Sequence, residues 1–138
     1  MSDSNTSVVP LAGRLMISAI FISSGLSKLA AHPAVAGYAA AKGLPAADLA
    51  VWLAAAIEVF GGLAILLGFQ TRIAAWVLFV YLIPTSLVFH NFWALQGMER
   101  MDNQIHFFKN IAIMGGLLFV ATFGAGAYSV DAARLKKA

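Results

Sequence analysis

The sequence predicts an all-α, polytopic membrane protein: a four-transmembrane-helix bundle forming one domain over residues 1–138, with a short interfacial helix between the first and second spans. Three observations carry this. Hydrophobic residues make up 61% of the chain and charged residues 11%, against about 25% charged in soluble domains. A chain of 138 residues has too small a core to hide that much apolar side chain, so the surplus must face lipid. The apolar residues also gather into four runs, at about 8–29, 50–68, 72–90 and 105–124, each near the ~20 residues that cross a hydrocarbon core of roughly 30 Å.

Met1–Ser7 is polar and reads as a disordered lead. In the first span Arg14, Ser18, Phe21, Gly25 and Lys28 recur at steps of three and four, which places both cations and the small residues on one face. The small-x-small triplet Ala34-Val35-Ala36 resembles a signal-peptide cleavage site, but no basic residue precedes the apolar run and Asp3 is acidic there, so the segment is expected to remain as a span. His32-Pro33 breaks the helix. Ala34–Lys42 then suits a surface helix too short to span, ended by Gly43-Leu44-Pro45, with Asp48 placed to cap the second span.

The second span contains a single ionisable side chain near its middle, Glu58, followed by Gly61 and Gly62, which permit close approach of a neighbouring helix. A charged residue at a helix centre costs roughly 2.5–3.5 kcal/mol on insertion scales, so Glu58 must be neutral, paired, or facing a wet cavity. The tight turn at Gly68–Arg72 makes the second and third spans antiparallel neighbours, with Thr71 as the expected cap. The third span contains Pro84, which frees a carbonyl, and Ser86, His90 and Trp93 share a face near its end. His90–Gln104 is the longest polar connection, and the fourth span carries His106, Lys109 and Asn110 in its first turns.

Four spans put the N-terminus, the Gly68–Arg72 turn and the C-terminus on one side of the membrane. That side holds Arg72, Arg134, Lys136 and Lys137, whereas the connections on the other side hold Lys42 and Arg100 beside Asp48, Glu99 and Asp102. The cation bias predicts both termini in the cytoplasm. The net charge of +3 comes from nine dispersed Lys and Arg, a pattern of membrane topology rather than of nucleic-acid binding. With no cysteine, thiol redox relays, disulfides and thiolate metal sites within the chain are excluded.

The same topology gathers Lys28, His90, Trp93, Lys109 and Asn110 at one membrane face, with Glu58 deeper and Arg14 deeper still. These seven are the candidates for ligand binding or a proton relay, with Glu58 expected to pair with Arg14 or Lys28. Each has a plainer reading beside the functional one: a packing ion pair for Glu58, interfacial hydrogen bonding for His90 and His106, snorkelling for Lys109, an aromatic belt for Trp93. No metal site is expected, because the histidines lack a strong helical ligand spacing and have no Asp or Glu at i+3 or i+4, and no residue is assigned a catalytic role.

In order along the chain stand Gly13-Arg14-Leu15, Ser24-Gly25-Leu26-Ser27-Lys28-Leu29, Glu58 with Gly61-Gly62, Gly68-Phe69-Gln70-Thr71-Arg72, Phe89-His90-Asn91-Phe92-Trp93, Phe108-Lys109-Asn110 with Met114-Gly115-Gly116, and Ser129-Val130-Asp131. In these pieces, over roughly Gly13 to Asp131, the sequence resembles the DoxX family of small four-helix membrane proteins. The resemblance implies a bacterial inner-membrane protein, in a family named for a subunit tied to quinol oxidation and thiosulfate:quinone oxidoreduction. The leading expectation is a quinone-linked oxidoreductase accessory subunit with a membrane or periplasmic redox partner, no covalent cofactor, and scope for homo-oligomers. The alternatives are a non-enzymatic scaffold or assembly subunit and a small-solute or ion transporter; the lack of an inverted repeat weighs against the last.

Overall fold

The computed structural model describes residues 4–137. Its helices are α1 (Ser4–Ala30), α2 (His32–Ala41), α3 (Ala47–Leu67), α4 (Thr71–Phe89), α5 (Gly97–Phe123) and α6 (Val130–Leu135), with a 3-10 turn at Phe92–Ala94. Among the described residues, four segments are long and apolar enough to cross a membrane: Val8–Ala30, Ala47–Leu67, Thr71–Ala94 and Gly97–Phe123. The four-span bundle and the short helix between the first two spans are as the sequence predicts.

Two boundaries differ. The first helix begins at Ser4, so Ser4–Ser7 extends it where a disordered lead is expected; Met1–Asp3 of that lead lies outside the described residues. The last span starts at Gly97 rather than near Ile105. Met, Glu, Arg and Gln are strong helix formers, and Glu99, Arg100 and Asp102 are all exposed, so the helix simply continues out of the apolar layer.

α1 packs most extensively on α3, and α4 on α5. Glycine sets the α1–α3 distance: a Cβ at Gly25 would stand 2.7 Å from Val59 Cγ2, and one at Gly62 2.8 Å from Ile22 Cγ1. The core of Phe21, Ile65, Leu78, Leu82 and Leu117 fills the bundle centre. Leu53, Phe60, Ile73, Val80, Phe119 and Phe123 project outward, where lipid would cover them.

At the end that carries the termini, two ion-dipole contacts tie the helices together. Gly68, at φ +68°, ends α3 with its N–H donating to Ala64 and Ile65 carbonyls. The guanidinium of Arg14 shares Ile65 O (3.3 Å) with that N–H through Nη1 and donates also to Leu66 O (3.1 Å), and through Nη2 to Tyr128 O.

The caps also depart from expectation. Neither Asp48 nor Thr71 caps its helix through its side chain: α3 is preceded by Ala46 in left-handed backbone, and α4 by Gln70 likewise. Asp131 caps α4 instead, accepting from Gln70 N (2.8 Å), Thr71 N (3.0 Å) and Thr71 Oγ1 (2.7 Å). A carboxylate from 60 residues away meets the positive end of the helix dipole better than a local hydroxyl.

Partial burial pushes the Asp131 carboxyl upward, but the bonds from Thr71 and Gln70, with Arg134 nearby, hold it below its ordinary value of 3.8. A carboxyl depressed in the folded state adds stability that is present above the unfolded value and is lost as pH falls through the folded one. Asp131→Asn is therefore expected to cost about 1 kcal/mol at neutral pH. It should also remove the part of the acid-side loss of stability that begins below about pH 4. Thermal unfolding in detergent across pH measures both effects, and an unchanged acid limb would contradict them.

Candidate functional site

Helix spacing brings Ser24 and Lys28 onto one turn of α1, opposite Glu58 on α3 and Tyr81 on α4. Lys28 Nζ donates to both Glu58 oxygens, at 2.9 Å to Oε1 and 2.8 Å to Oε2, and to Ser24 Oγ at 2.8 Å. Tyr81 OH donates to Glu58 Oε1 at 2.7 Å. The Glu58 side chain is 5% exposed and that of Lys28 22%. One positive and one negative charge thus sit together inside the bundle with their hydrogen bonds largely satisfied, the condition under which charge is tolerated at that depth.

Of the two cations weighed as partners for Glu58, the structure uses Lys28. Arg14 is 1% exposed, but its guanidinium lies against the end of α3 at the opposite end of the bundle. It does not join the Glu58 cluster. The reason is helical rise: Arg14 and Lys28 are 14 residues apart on α1, about 21 Å, so only one of them can reach the middle of α3.

Around the ion pair lie two spaces. A small polar cavity of about 140 Å³ is lined by Ser24, Lys28, Glu58, His90, Lys109 and Asn110. Beside it, a larger and mostly apolar groove of about 370 Å³ opens between α3 and α4 beneath α2, walled by Tyr38, Val51, Ala54, Tyr81, Pro84 and Phe89. Lys28, Thr85 and His90 border both. Pro84 supplies no N–H to the α4 ladder, and the hydroxyls of Thr85 and Ser86 turn back to Tyr81 O (2.8 Å) and Leu82 O (2.7 Å).

At the mouth, His90 and His106 stack with ring centroids 5.2 Å apart. His90 Nδ1 is 3.2 Å from Asn103 Oδ1, and His106 Nδ1 is 2.9 Å from Lys109 Nζ. Asn110, 6% exposed, donates to Ser86 Oγ at 3.1 Å. Six of the seven candidate residues are thereby placed: five converge on the two spaces and Arg14 does not. Trp93, the seventh, is 55% exposed and packs edge-on to Phe92 and Phe107, outside both spaces.

The sequence reading missed Tyr81, Ser24 and Tyr38. Tyr81 carried a usable signal, because a tyrosine in the middle of an apolar span needs a partner for its hydroxyl and Glu58 is the one carboxylate in the spans flanking that depth. Ser24 lies one turn before Lys28, also a readable spacing. Tyr38 gave none, since its place over the groove depends on how α2 folds back.

Comparison with known proteins agrees with this architecture. The DoxX family model matches residues 9–91. The inner membrane protein YphA of Escherichia coli (strain K12) is 35% identical over 124 residues, covering 90% of this chain and 89% of that protein. The inner membrane protein YqjF of the same organism is 36% identical over 127 residues, covering 92% of each. The ER-derived vesicles protein ERV29 of Saccharomyces cerevisiae is 27% identical over 120 residues, 87% of this chain but 32% of its own length. No solved structure matches. With four helices long and apolar enough to cross a membrane, a family match over more than half its length and two inner-membrane relatives above 30% identity along nearly their whole length, this chain is an integral membrane protein that belongs to the DoxX family.

Proposed function

We propose that the protein binds the headgroup of a quinone-class molecule in the groove between α3 and α4 and serves as an accessory subunit of a membrane oxidoreductase. The observation that carries this is the groove itself. It borders lipid, it is mostly apolar, its volume of about 370 Å³ falls in the range of small-molecule sites, roughly 300–1,000 Å³, and its inner end meets Lys28, Tyr81 and Thr85. A membrane-dissolved ring with a hydrocarbon tail and oxygen atoms needs that combination. Lys28 would act as a charged donor, the strongest kind for a carbonyl oxygen, by turning one of the three N–H bonds it gives to Glu58 and Ser24 toward the ligand; Tyr38 and Phe89, stacked at 6.0 Å, provide aromatic surface for the ring.

A scaffold role is the second reading, favoured by one observation: Lys28 and Glu58 already satisfy each other, as a packing device would. Titration of a soluble short-tail quinone, followed by intrinsic fluorescence, separates the two. Ala54→Phe, which fills the groove, and Tyr38→Ala, which strips its wall, are each expected to weaken binding at least tenfold relative to wild type. Equal affinity in all three, or no binding to wild type, leaves the scaffold reading.

We place the protein in a bacterial inner membrane with both termini in the cytoplasm, on the strength of the loop cation bias and the inner-membrane relatives. A cysteine at Gln96 should then react with an impermeant maleimide from outside, and one at Gln70 should not. The reverse pattern would invert the orientation.

A further inference from the structure

The ionisable and polar groups that line the polar cavity gather toward one end of it. Toward the face that carries the α4–α5 connection, its wall includes His90 and Lys109, and beyond them His106 and the exposed Asp102, whose carboxylate is 3.8 Å from His106 Nε2. Toward the face that carries the termini its lining is apolar, Phe21, Leu82 and Ile113, and the bundle core of Leu78, Leu117 and Ile65, each 0% exposed, lies beyond. A cavity of about 140 Å³ lined by Ser24, Lys28, Glu58, His90, Lys109 and Asn110 is large enough for several waters and polar enough to hold them.

We infer that this cavity is a hydrated half-channel through which the Lys28–Glu58–Tyr81 cluster exchanges protons with the α4–α5 face alone, His90 and His106 being the exchanging groups at its mouth. Every link is a group that can take up and release a proton. From outside inward they are Asp102, His106 stacked on His90, cavity water, then Lys28 donating to Glu58, which also accepts from Tyr81. The groups facing the histidines are Asp102, Asn103 and Lys109 from α5, with Lys28 from α1 and Glu58 from α3 across the cavity. The proposed-function reading enters only in naming the ligand such protons would serve; the half-channel is testable without it.

Two measurements on the intact protein decide it. Ser24 lines the cavity but not the groove, and the chain has no native cysteine. In vesicles of known sidedness, Ser24→Cys should react with methanethiosulfonate ethylsulfonate at least tenfold faster from the face marked by a cysteine at Gln96 than from the face marked by one at Gln70. Equal rates, or faster reaction from the Gln70 face, overturn one-sided access.

The second follows hydrogen exchange of the Lys28 ammonium protons by nuclear magnetic resonance of nitrogen-labelled lysine in nanodiscs at fixed pH. His90→Phe and the polar His90→Gln should both slow the exchange about tenfold. Unchanged exchange in both overturns the route, and slowing by phenylalanine alone overturns the histidine's part in it, since a mere plug would do that. Neither measurement involves a quinone, so failure of the half-channel and failure of quinone binding give different results.

Discussion

Glu58→Gln should destabilise the folded protein by about 3–5 kcal/mol, the cost of leaving one member of a buried ion pair without its partner. The glutamine keeps the volume and can still accept from Tyr81, but Lys28 is left with a full charge facing a neutral amide. Lys28→Met should cost a similar amount by stranding the carboxylate. The double variant should recover much of either loss, because two neutral side chains in this site need no compensation. Arg14→Gln added to Glu58→Gln should behave differently: the two groups share no contact, so their losses should add. Unfolding in a fixed detergent of the wild type, the three single variants and the two double variants tests the assignment. Recovery by the Arg14 variant, or purely additive losses with Lys28→Met, would show that Lys28 is not the functional counter-ion of Glu58.

The second large effect is at Arg14 itself. One side chain satisfies three carbonyls, two at the end of α3 and one at Tyr128. Ile65 O keeps the Gly68 N–H, but Leu66 O and Tyr128 O lose their donor; at about 1–3 kcal/mol for each acceptor left without one, Arg14→Leu should lose on the order of 3 kcal/mol after partial relaxation. Arg14→Lys should rescue little, because a single ammonium cannot reproduce the planar fork that spans carbonyls from two segments. Thermal shift and limited proteolysis of the C-terminal segment measure it: the arginine variants should release residues after Gly124 to protease, and wild-type-like protection in Arg14→Lys would mean that charge alone suffices.

The sequence made the spans legible because lipid imposes a length and a composition that no tertiary contact can override. It also made most of the site legible, because an ionisable residue inside a span needs a partner and the three-and-four spacing on α1 offers only two. It could not choose between Arg14 and Lys28, since that choice depends on where α1 crosses α3, and the crossing is fixed by the clearances at Gly25 and Gly62. Trp93 was drawn to the cluster by its nearness in sequence to His90. The chain leaves the helix after Phe89 into a 3-10 turn, and the helical periodicity that would have aligned the two residues ends there. The caps were misread for a related reason: local rules favour Asp48 and Thr71, whereas Asp131, far along the chain, supplies a full charge to the start of α4.

That long reach bears on the order of assembly. Tyr128 and Asp131 follow all four spans in the chain, and a chain is made from its N-terminus at about 5–20 residues per second. The end of α3 and the start of α4 are therefore synthesised well before the groups that complete them, Tyr128 receiving Arg14 and Asp131 receiving Gln70 and Thr71. For seconds during biogenesis Arg14 lacks its Tyr128 acceptor and the amides at the start of α4 lack their cap. The bundle is locked only when its last segment folds back, so the C-terminal residues act as a clasp that closes after the membrane has been crossed.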